Sequence, residues 1–206
     1  MSNVKEKKFG LTCLFPIREG GTHTVQLRSY LRTMDEQVEH NLYGSPLSKV
    51  PFIHMARFAI IEDLTYQGIP ARRDRLKSSY MLFMCDFDGS NADKLVAAMS
   101  EIHFPDHCPD YWMDQVWGHC VAYPRRASRD RLTAYFERCQ LETNLFLADR
   151  PKDEVQDILR ALICKRKFIE FLMKHQGSPA DHQRAEFFKM WEQLKSFETP
   201  IVPGSV

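Results

Sequence analysis

The sequence lacks any apolar segment long enough to cross a membrane. Its longest apolar runs, such as 58–61 and 81–84, fall far short of the roughly 18 residues that a membrane-spanning helix needs. Residues 1–10 are rich in charged side chains and lack the apolar stretch of a secretory signal. We therefore expect a cytoplasmic protein with no membrane partner.

The common sequence signatures of active sites are missing as well. No GxGxxG, GxxxxGK(S/T), HExxH, GxSxG or CxxC pattern occurs. Nucleotide-binding, zinc-protease, α/β-hydrolase and disulfide-redox functions therefore lose their main sequence support. The six cysteines are scattered, without the dense spacing of a disulfide framework, so reduced thiols are expected.

The chain also has almost no net charge. Its 28 Lys and Arg residues balance 27 Asp and Glu residues, which leaves a formal charge of +1. No long-range electrostatic field favours a polyanion. We therefore expect no nucleic-acid partner.

Four segments that are present have the pattern of β-strands. Three are short apolar runs, rich in aromatic and β-branched residues and bounded by turn residues, and in the fourth every second residue is large or apolar. The predicted strands lie at 9–17, 51–62, 79–88 and 114–124. The alternating positions of the last segment are Trp117, His119, Val121 and Tyr123.

Two helices are predicted between these strands. The first has Leu27, Leu31, Met34 and Val38 on one face. The second begins at Ser90, which forms a capping-box pattern with Asp93. The resulting βαββαβ order is that of an α+β ferredoxin-like fold, whose strands lie in the order 4-1-3-2 with both helices on one face.

The last third of the chain has helical periodicity. Apolar residues recur at helical spacing over 132–139, 155–173 and 187–194. We therefore divide the chain into a ferredoxin-like core at 1–124 and a helical extension at 125–206. The extension is expected to pack on the core or at a dimer interface.

Four stretches carry a further pattern: HMARFAII at 54–61, MLFMCDFDGS at 81–90, VWGHCVAYP at 116–124, and the longer segment 142–172. They resemble bacterial modules associated with haem-peroxidase-like and catalase-like proteins. The chain departs from the typical pattern at Met55 and Ala122. The resemblance implies a ferredoxin-like module that pairs into a dimeric α/β barrel, a superfamily that includes haem enzymes and haem-free monooxygenases. It therefore predicts a homodimer and suggests haem as cofactor.

His54 and Arg57 are polar residues in an otherwise apolar predicted strand, where an unpaired polar group is costly. One interpretation makes His54 an axial ligand or catalytic acid–base group and Arg57 a contact for an anion or peroxide. The other makes Arg57 the ion-pair partner of Asp86 or Asp88, and His54 a hydrogen-bonded core histidine. Because side chains three positions apart on a strand point to opposite faces, both line one pocket only if a bulge intervenes.

His119 is the second candidate ligand for haem iron. It also belongs to the densest cluster of potential metal ligands, which comprises His103, His107, Cys108, His119 and Cys120. Pro105 between the first two histidines, and the alternation of side chains along a strand, argue against a structural metal there. In the expected strand order His54 and His119 lie at opposite edges, roughly 14 Å apart, so a shared site needs two subunits.

Arg72, Arg73 and Arg75 form a basic cluster in the long connection between the second and third predicted strands. Arginine suits bidentate contacts with carboxylates, so this loop is a candidate lid that contacts an anionic substrate or the haem propionates. The alternative is a solvated loop that keeps a sheet edge from aggregating.

These features lead to two functional hypotheses. The first is a haem-dependent or other oxidative enzyme that acts on a small, largely apolar molecule, with His54 and Arg57 as catalytic residues and His119 or His54 as cofactor ligand. The second is a non-catalytic accessory module for an oxidative partner enzyme. Fold-level resemblance alone does not decide between them.

Overall fold

The computed structural model describes residues 3–40, 45–63, 68–69, 76–102, 111–195 and 201. Within these residues the chain is a mixed α+β protein with a four-stranded antiparallel sheet and six α-helices. The strands are β1 (Val4–Lys5), β2 (Lys8–Pro16), β3 (Ile53–Ile61) and β4 (Tyr80–Asp88). The helices are α1 (Thr22–His40), α2 (Ala92–Ser100), α3 (Trp112–Val116), α4 (Arg129–Cys139), α5 (Val155–His175) and α6 (Ala180–Lys195).

The sheet has the strand order β1-β2-β4-β3. The strands predicted at 9–17, 51–62 and 79–88 are confirmed as β2, β3 and β4. Their relative order, with β4 in the centre, is the one that the ferredoxin-like pattern requires for its first three strands. The last position in the sheet, next to β2, is instead taken by the two-residue strand β1.

The prediction of a fourth strand at 114–124 is wrong. Residues Trp112–Val116 form α3, and Trp117–His119 continue it as a 3₁₀ turn. The helical turn buries Trp112, Met113, Val116 and Trp117, two pairs spaced four residues apart. Burial of these large side chains outweighs the alternating pattern that favoured a strand.

Three short segments cover the outer edge of β2 in place of a full strand. Asn3 accepts a hydrogen bond from Gly10 N–H, Leu141 N–H donates to Thr12, and Val121 N–H donates to Pro16. These three hydrogen bonds pair part of the backbone edge that an open sheet would leave without partners.

The hydrophobic core lies between one face of the sheet and helices α1 to α4. The buried side chains of this face are Phe9, Leu11, Cys13 and Phe15 from β2 and Met81, Phe83, Cys85 and Phe87 from β4. Trp117 lies at the centre, in edge-on ring contact with Phe15 and Phe83. The α2 helix that borders this core is capped by Asn91, whose side chain accepts a hydrogen bond from Lys94 N–H, and not by Ser90 as predicted.

Helices α4, α5 and α6 confirm the helical character of the last third of the chain. Phe136 of α4 belongs to the core, whereas α5 buries only Val155 and His175 at its two ends, and no residue of α6 is buried. The α5–α6 hairpin is held by its own ring contacts, such as Phe171 with Phe187 at a centroid distance of 5.8 Å. None of the helices in the described residues is long and apolar enough to span a membrane.

Candidate functional site

A β-bulge in β3 determines where His54 lies. Ile53 is opposite Phe87, but Met55 is already opposite Asp86, so His54 is the additional residue of the strand. The bulge places the His54 ring next to Lys8 and Asp88, and Arg57 is opposite Met84 in the same register. The bulge that His54 and Arg57 need in order to line one pocket is therefore present.

Both residues line a groove along the free edge of β3. The groove has a volume of about 800 Å³, within the usual range for small-molecule sites. Its apolar wall includes Leu31 of α1, Leu47 and Phe58, and its polar groups include Arg28, Arg32, Asp35, His54 and Arg57. We call this cavity the edge groove.

Asp88 is the centre of a buried cluster of charged groups. Its Oδ1 lies 2.5 Å from Lys8 Nζ and 2.7 Å from His54 Nε2, and its Oδ2 accepts a hydrogen bond of 2.7 Å from Val155 N–H at the start of α5. The side chains of Lys8 and Asp88 are only 6% and 8% exposed, whereas that of His54 is 22% exposed. His54 is therefore the member of the cluster that reaches solvent.

The hydrogen bonds to Asp88 control its charge. Burial alone raises the pKa of the carboxyl, but hydrogen bonds from His54, Lys8 and Val155 N–H outweigh it, and the pKa is lowered to about 2. Asp88 is consequently ionised at neutral pH. Burial also raises the pKa of the neighbouring Asp86, an effect that the charge of His54 opposes.

Arg57 is not the ion-pair partner of Asp86 or Asp88. Asp88 is already held by Lys8 and His54. Within the described residues, no hydrogen bond or ion pair of the Arg57 guanidinium is formed. Arg57 therefore remains available to a ligand of the edge groove. The alternative interpretation of His54 as a hydrogen-bonded histidine agrees with its contact to Asp88, although its side chain is partly exposed.

His119 lies at the other end of the sheet. Its Nδ1 is 3.2 Å from Nδ1 of His23, in the first turn of α1, and its carbonyl accepts a hydrogen bond from Arg18 N–H, just beyond the end of β2. His54 contacts Lys8 at the start of β2, about 30 Å away at 3.3 Å per residue. The expected distance of roughly 14 Å between the two histidines is therefore too short, since the length of β2 adds to the width of the sheet.

The described residues contain no group of three or more His, Cys, Asp or Glu side chains placed to hold a metal ion. Cys120 is fully buried, and burial raises the pKa of its thiol to about 12, so the thiol is protonated at neutral pH. His103, His107 and Cys108 lie outside the described residues. So do Arg72, Arg73 and Arg75, and their role as a lid stays a prediction.

Two residues of these clusters, Lys8 and His23, were missed by the sequence interpretation. Lys8 is one of several lysines in a charged N-terminal stretch, which is typical of solvated residues. His23 lies shortly after a Gly-Gly pair, a pattern that is typical of a simple connecting turn. Their partners lie far away in the sequence, so only the tertiary structure reveals them.

The substitution Asp88→Asn should destabilise the protein at pH 7 by about 3–5 kcal/mol, because it leaves Lys8 as a buried charge without a counter-ion. The pH dependence should change as well. The Asp88 pKa falls from 3.8 to about 2 on folding, so the unfolded chain takes up the proton first as the pH decreases. Roughly 2 kcal/mol of stability is therefore present above pH 4 and is lost as the pH falls towards 2.

Urea denaturation of the wild type and of Asp88→Asn between pH 2 and 7 measures this contribution. Asp130→Asn on the exposed side of α4 is the matched control and should reproduce the wild-type profile. A profile of Asp88→Asn that is parallel to the wild type would show that Asp88 is not the group responsible.

Comparisons of the chain with protein-family models, with curated proteins and with solved structures find no match.

Proposed function

We propose that the chain is an oxidative enzyme whose substrate is a small, largely apolar molecule with an acidic group, bound in the edge groove. One observation carries this proposal: the bulge in β3 brings His54, held by Asp88, into the same groove as Arg57, which has no partner among the described residues. The geometry of the edge groove supports an apolar substrate with an acidic group and a proton transfer by His54. The oxidative class rests on the resemblance of the sequence alone.

His54 is suited to move a proton. Its Nε2 contacts Asp88 Oδ1 at 2.7 Å and Lys8 Nζ at 2.5 Å. If Nε2–H donates a hydrogen bond to Asp88, Nδ1 carries a lone pair and can act as a base. Once Nδ1 has taken up a proton, the ring is an imidazolium that keeps the bond to Asp88 and can act as an acid. The same heavy-atom positions serve both forms, as a general acid–base residue requires.

Arg57 is suited to bind the acidic group of the substrate. A guanidinium carries a permanent charge and a rigid set of donors that matches a carboxylate. Leu31, Leu47 and Phe58 form an apolar wall for the rest of the molecule. Arg28, by contrast, is paired with Glu62 at 2.5 Å. We assign the anion to Arg57 and not to Arg32, because Arg57 lies on the same strand as His54, whereas Arg32 lies on α1.

The two candidate ligands differ in how they fit the haem that the resemblance implies. Nε2 of His54 is held by Asp88 and Lys8, so Nδ1 is the nitrogen that could ligate the iron. His119 borders a cavity lined by Asp114, Gln115, Arg125 and Arg126. Such polar walls do not resemble the mainly apolar lining of a cofactor pocket.

An apolar surface on the α5–α6 hairpin supports self-association. The exposed apolar side chains are Leu162, Phe168, Ile169, Leu172, Met173, Phe188 and Trp191. A surface of this kind marks an interaction site. We propose that two copies of the chain pair through these hairpins as a four-helix bundle related by a two-fold axis.

The same surface is the specific observation in favour of the second function, an accessory module for an oxidative partner enzyme. The two uses of the hairpin differ in solution. A homodimer hides the apolar side chains without any other protein, whereas an accessory module exposes them until its partner binds.

Arg57→Gln should weaken the binding of naphthoate about tenfold, because the charged contact with the carboxylate is lost. It should leave the weaker binding of neutral naphthalenemethanol unchanged. Titration calorimetry of both probes against the wild type measures the difference. Arg131→Gln, on the exposed side of α4, is the matched control and should bind both probes like the wild type. If the wild type binds the two probes equally, the assignment of Arg57 to an acidic substrate group is wrong.

The wild type should have twice its chain mass of 24.1 kDa in solution. Leu172→Glu should be monomeric at micromolar concentration, because it places a charge in the proposed apolar interface. Leu145→Glu is the matched control, since Leu145 is exposed but lies outside the hairpin, and it should remain dimeric. Light scattering over a range of concentrations distinguishes these states. A wild-type monomer at every concentration would favour the accessory-module function.

Protein produced with a haem precursor should show no Soret absorbance that depends on His119. The reason is that His119 faces a polar cavity, whereas His54 keeps Nδ1 free. Absorbance spectra of the wild type, His54→Ala and His119→Ala provide the measurement. A Soret band that disappears in His119→Ala alone would contradict this expectation, and one that disappears in His54→Ala alone would identify His54 as the ligand.

A further inference from the structure

A second cavity lies beside His119, at the opposite end of the sheet from His54. It has a volume of about 370 Å³ and is lined by Asp114, Gln115, His119, Arg125 and Arg126. The segment between α3 and α4 supplies most of this lining, and His23 at the start of α1 contacts His119 from the neighbouring element. We call it the His119 cavity.

The backbone fixes two arginines in this region. Arg125 Nη2 donates a hydrogen bond of 3.2 Å to the Gly118 carbonyl, and Arg18 Nε donates one of 3.2 Å to the Cys120 carbonyl. A methyl group on Gly118 would lie 3.0 Å from Arg125 Nη2, so the glycine lets the guanidinium pack closely against the turn. Neutral carbonyls orient these guanidiniums without cancelling their charge, and each keeps further N–H donors.

The electrostatics around His119 favour an anion. Burial lowers the pKa of the imidazole, and the charges of His23, Arg125 and Arg18 lower it further. Asp114 is the one acidic residue in the described lining. The surroundings of His119 thus hold an excess of positive charge in a partly dehydrated site.

Asp114 determines which anion is compatible with the cavity. Its Oδ1 is buried beside the Tyr123 hydroxyl, so the oxygen that a ligand in the cavity reaches is Oδ2. A carboxylate repels an anion that carries no proton but accepts a hydrogen bond from one that does. At neutral pH inorganic phosphate retains at least one proton, whereas sulfate has none.

We propose that the His119 cavity is a binding site for a protonated phosphate group, with Arg125 and His119 as donors and Asp114 as acceptor of the phosphate proton. This site goes beyond the proposed function of the edge groove. The length of β2 separates the two sites, and they share no lining residue. It also gives His119 a role other than ligation of haem iron.

Titration calorimetry with inorganic phosphate and with sulfate at pH 7 tests the site. The wild type should bind phosphate saturably and about tenfold more tightly than sulfate, because only phosphate donates to Asp114. Arg125→Lys should weaken phosphate binding about tenfold, since lysine lacks the planar fork of donors. Arg138→Lys, on the exposed side of α4, is the matched control and should bind like the wild type.

Asp114→Asn should abolish the discrimination between phosphate and sulfate, because the amide does not repel an unprotonated anion. Absence of saturable phosphate binding to the wild type would overturn the proposal. Equal weakening in Arg125→Lys and Arg138→Lys, or retained discrimination in Asp114→Asn, would overturn it as well.

A measurement on the wild type alone keeps the proposal testable if a variant fails to fold. In proton NMR spectra, phosphate should raise the titration midpoint of the His119 ring, because a bound anion stabilises the imidazolium. The His54 ring is the internal control and should not respond. A response of His54 alone would assign phosphate to the edge groove and reject the His119 cavity, so the outcome is independent of the function proposed for the groove.

Discussion

The neutralisation of the Asp88 carboxylate is the interaction on which the rest of the structure depends. A buried carboxylate is stable only if charged and hydrogen-bonding partners replace water. Three separate elements supply them: Lys8 of β2, His54 of β3 and the first N–H of α5. The helical hairpin is thereby joined to the sheet at a helix N-terminus, where a negative charge is favoured. The position of the α5–α6 hairpin is thus coupled to the charge state of one side chain.

The bulge in β3 follows from the same constraint. In a regular strand His54 would take the place opposite Asp86, which Met55 occupies in the bulged strand. The additional residue lets His54 reach Asp88 while Ala56 and Phe58 keep their places on the core face. Bulges are common beside functional sites, where they redirect a side chain. Here the bulge also aligns Arg57 with the groove, so one local irregularity creates both polar ends of the proposed site.

Much of the fold could be predicted because the apolar patterns that drive it lie within short segments of the sequence. The strands β2, β3 and β4 are continuous apolar segments, and α1 has a regular apolar face, so burial and periodicity agree. The strand prediction for the segment 114–124 failed because two periodicities coexist there. Alternation favoured a strand, but Trp112 with Val116 and Met113 with Trp117 follow the helical period and are fully buried.

The candidate site was predictable only in part. His54 and Arg57 stood out as polar residues in an apolar strand, and the need for a bulge followed from strand geometry. The partners did not stand out, because Lys8 is separated from Asp88 by 80 residues and from His54 by 46. Charged residues near a chain terminus are typical of solvated surface. Only the antiparallel pairing of β2 with β4, in which Lys8 is opposite Asp88, brings them together.

The same pairing explains why the two candidate sites lie at opposite ends of the sheet. The central part of the core face is aromatic, with Phe15 and Phe83 both in ring contact with Trp117, and offers no place for a charge. Polar groups therefore collect where the strands end: at Lys8 and Asp88 on one side, and at Arg18 and His119 on the other. Because β2 pairs with β4 along its whole length, a ligand at one end of the sheet does not contact the site at the other end. The two proposed sites, the His119 cavity and the edge groove, are thus separated by the length of one strand.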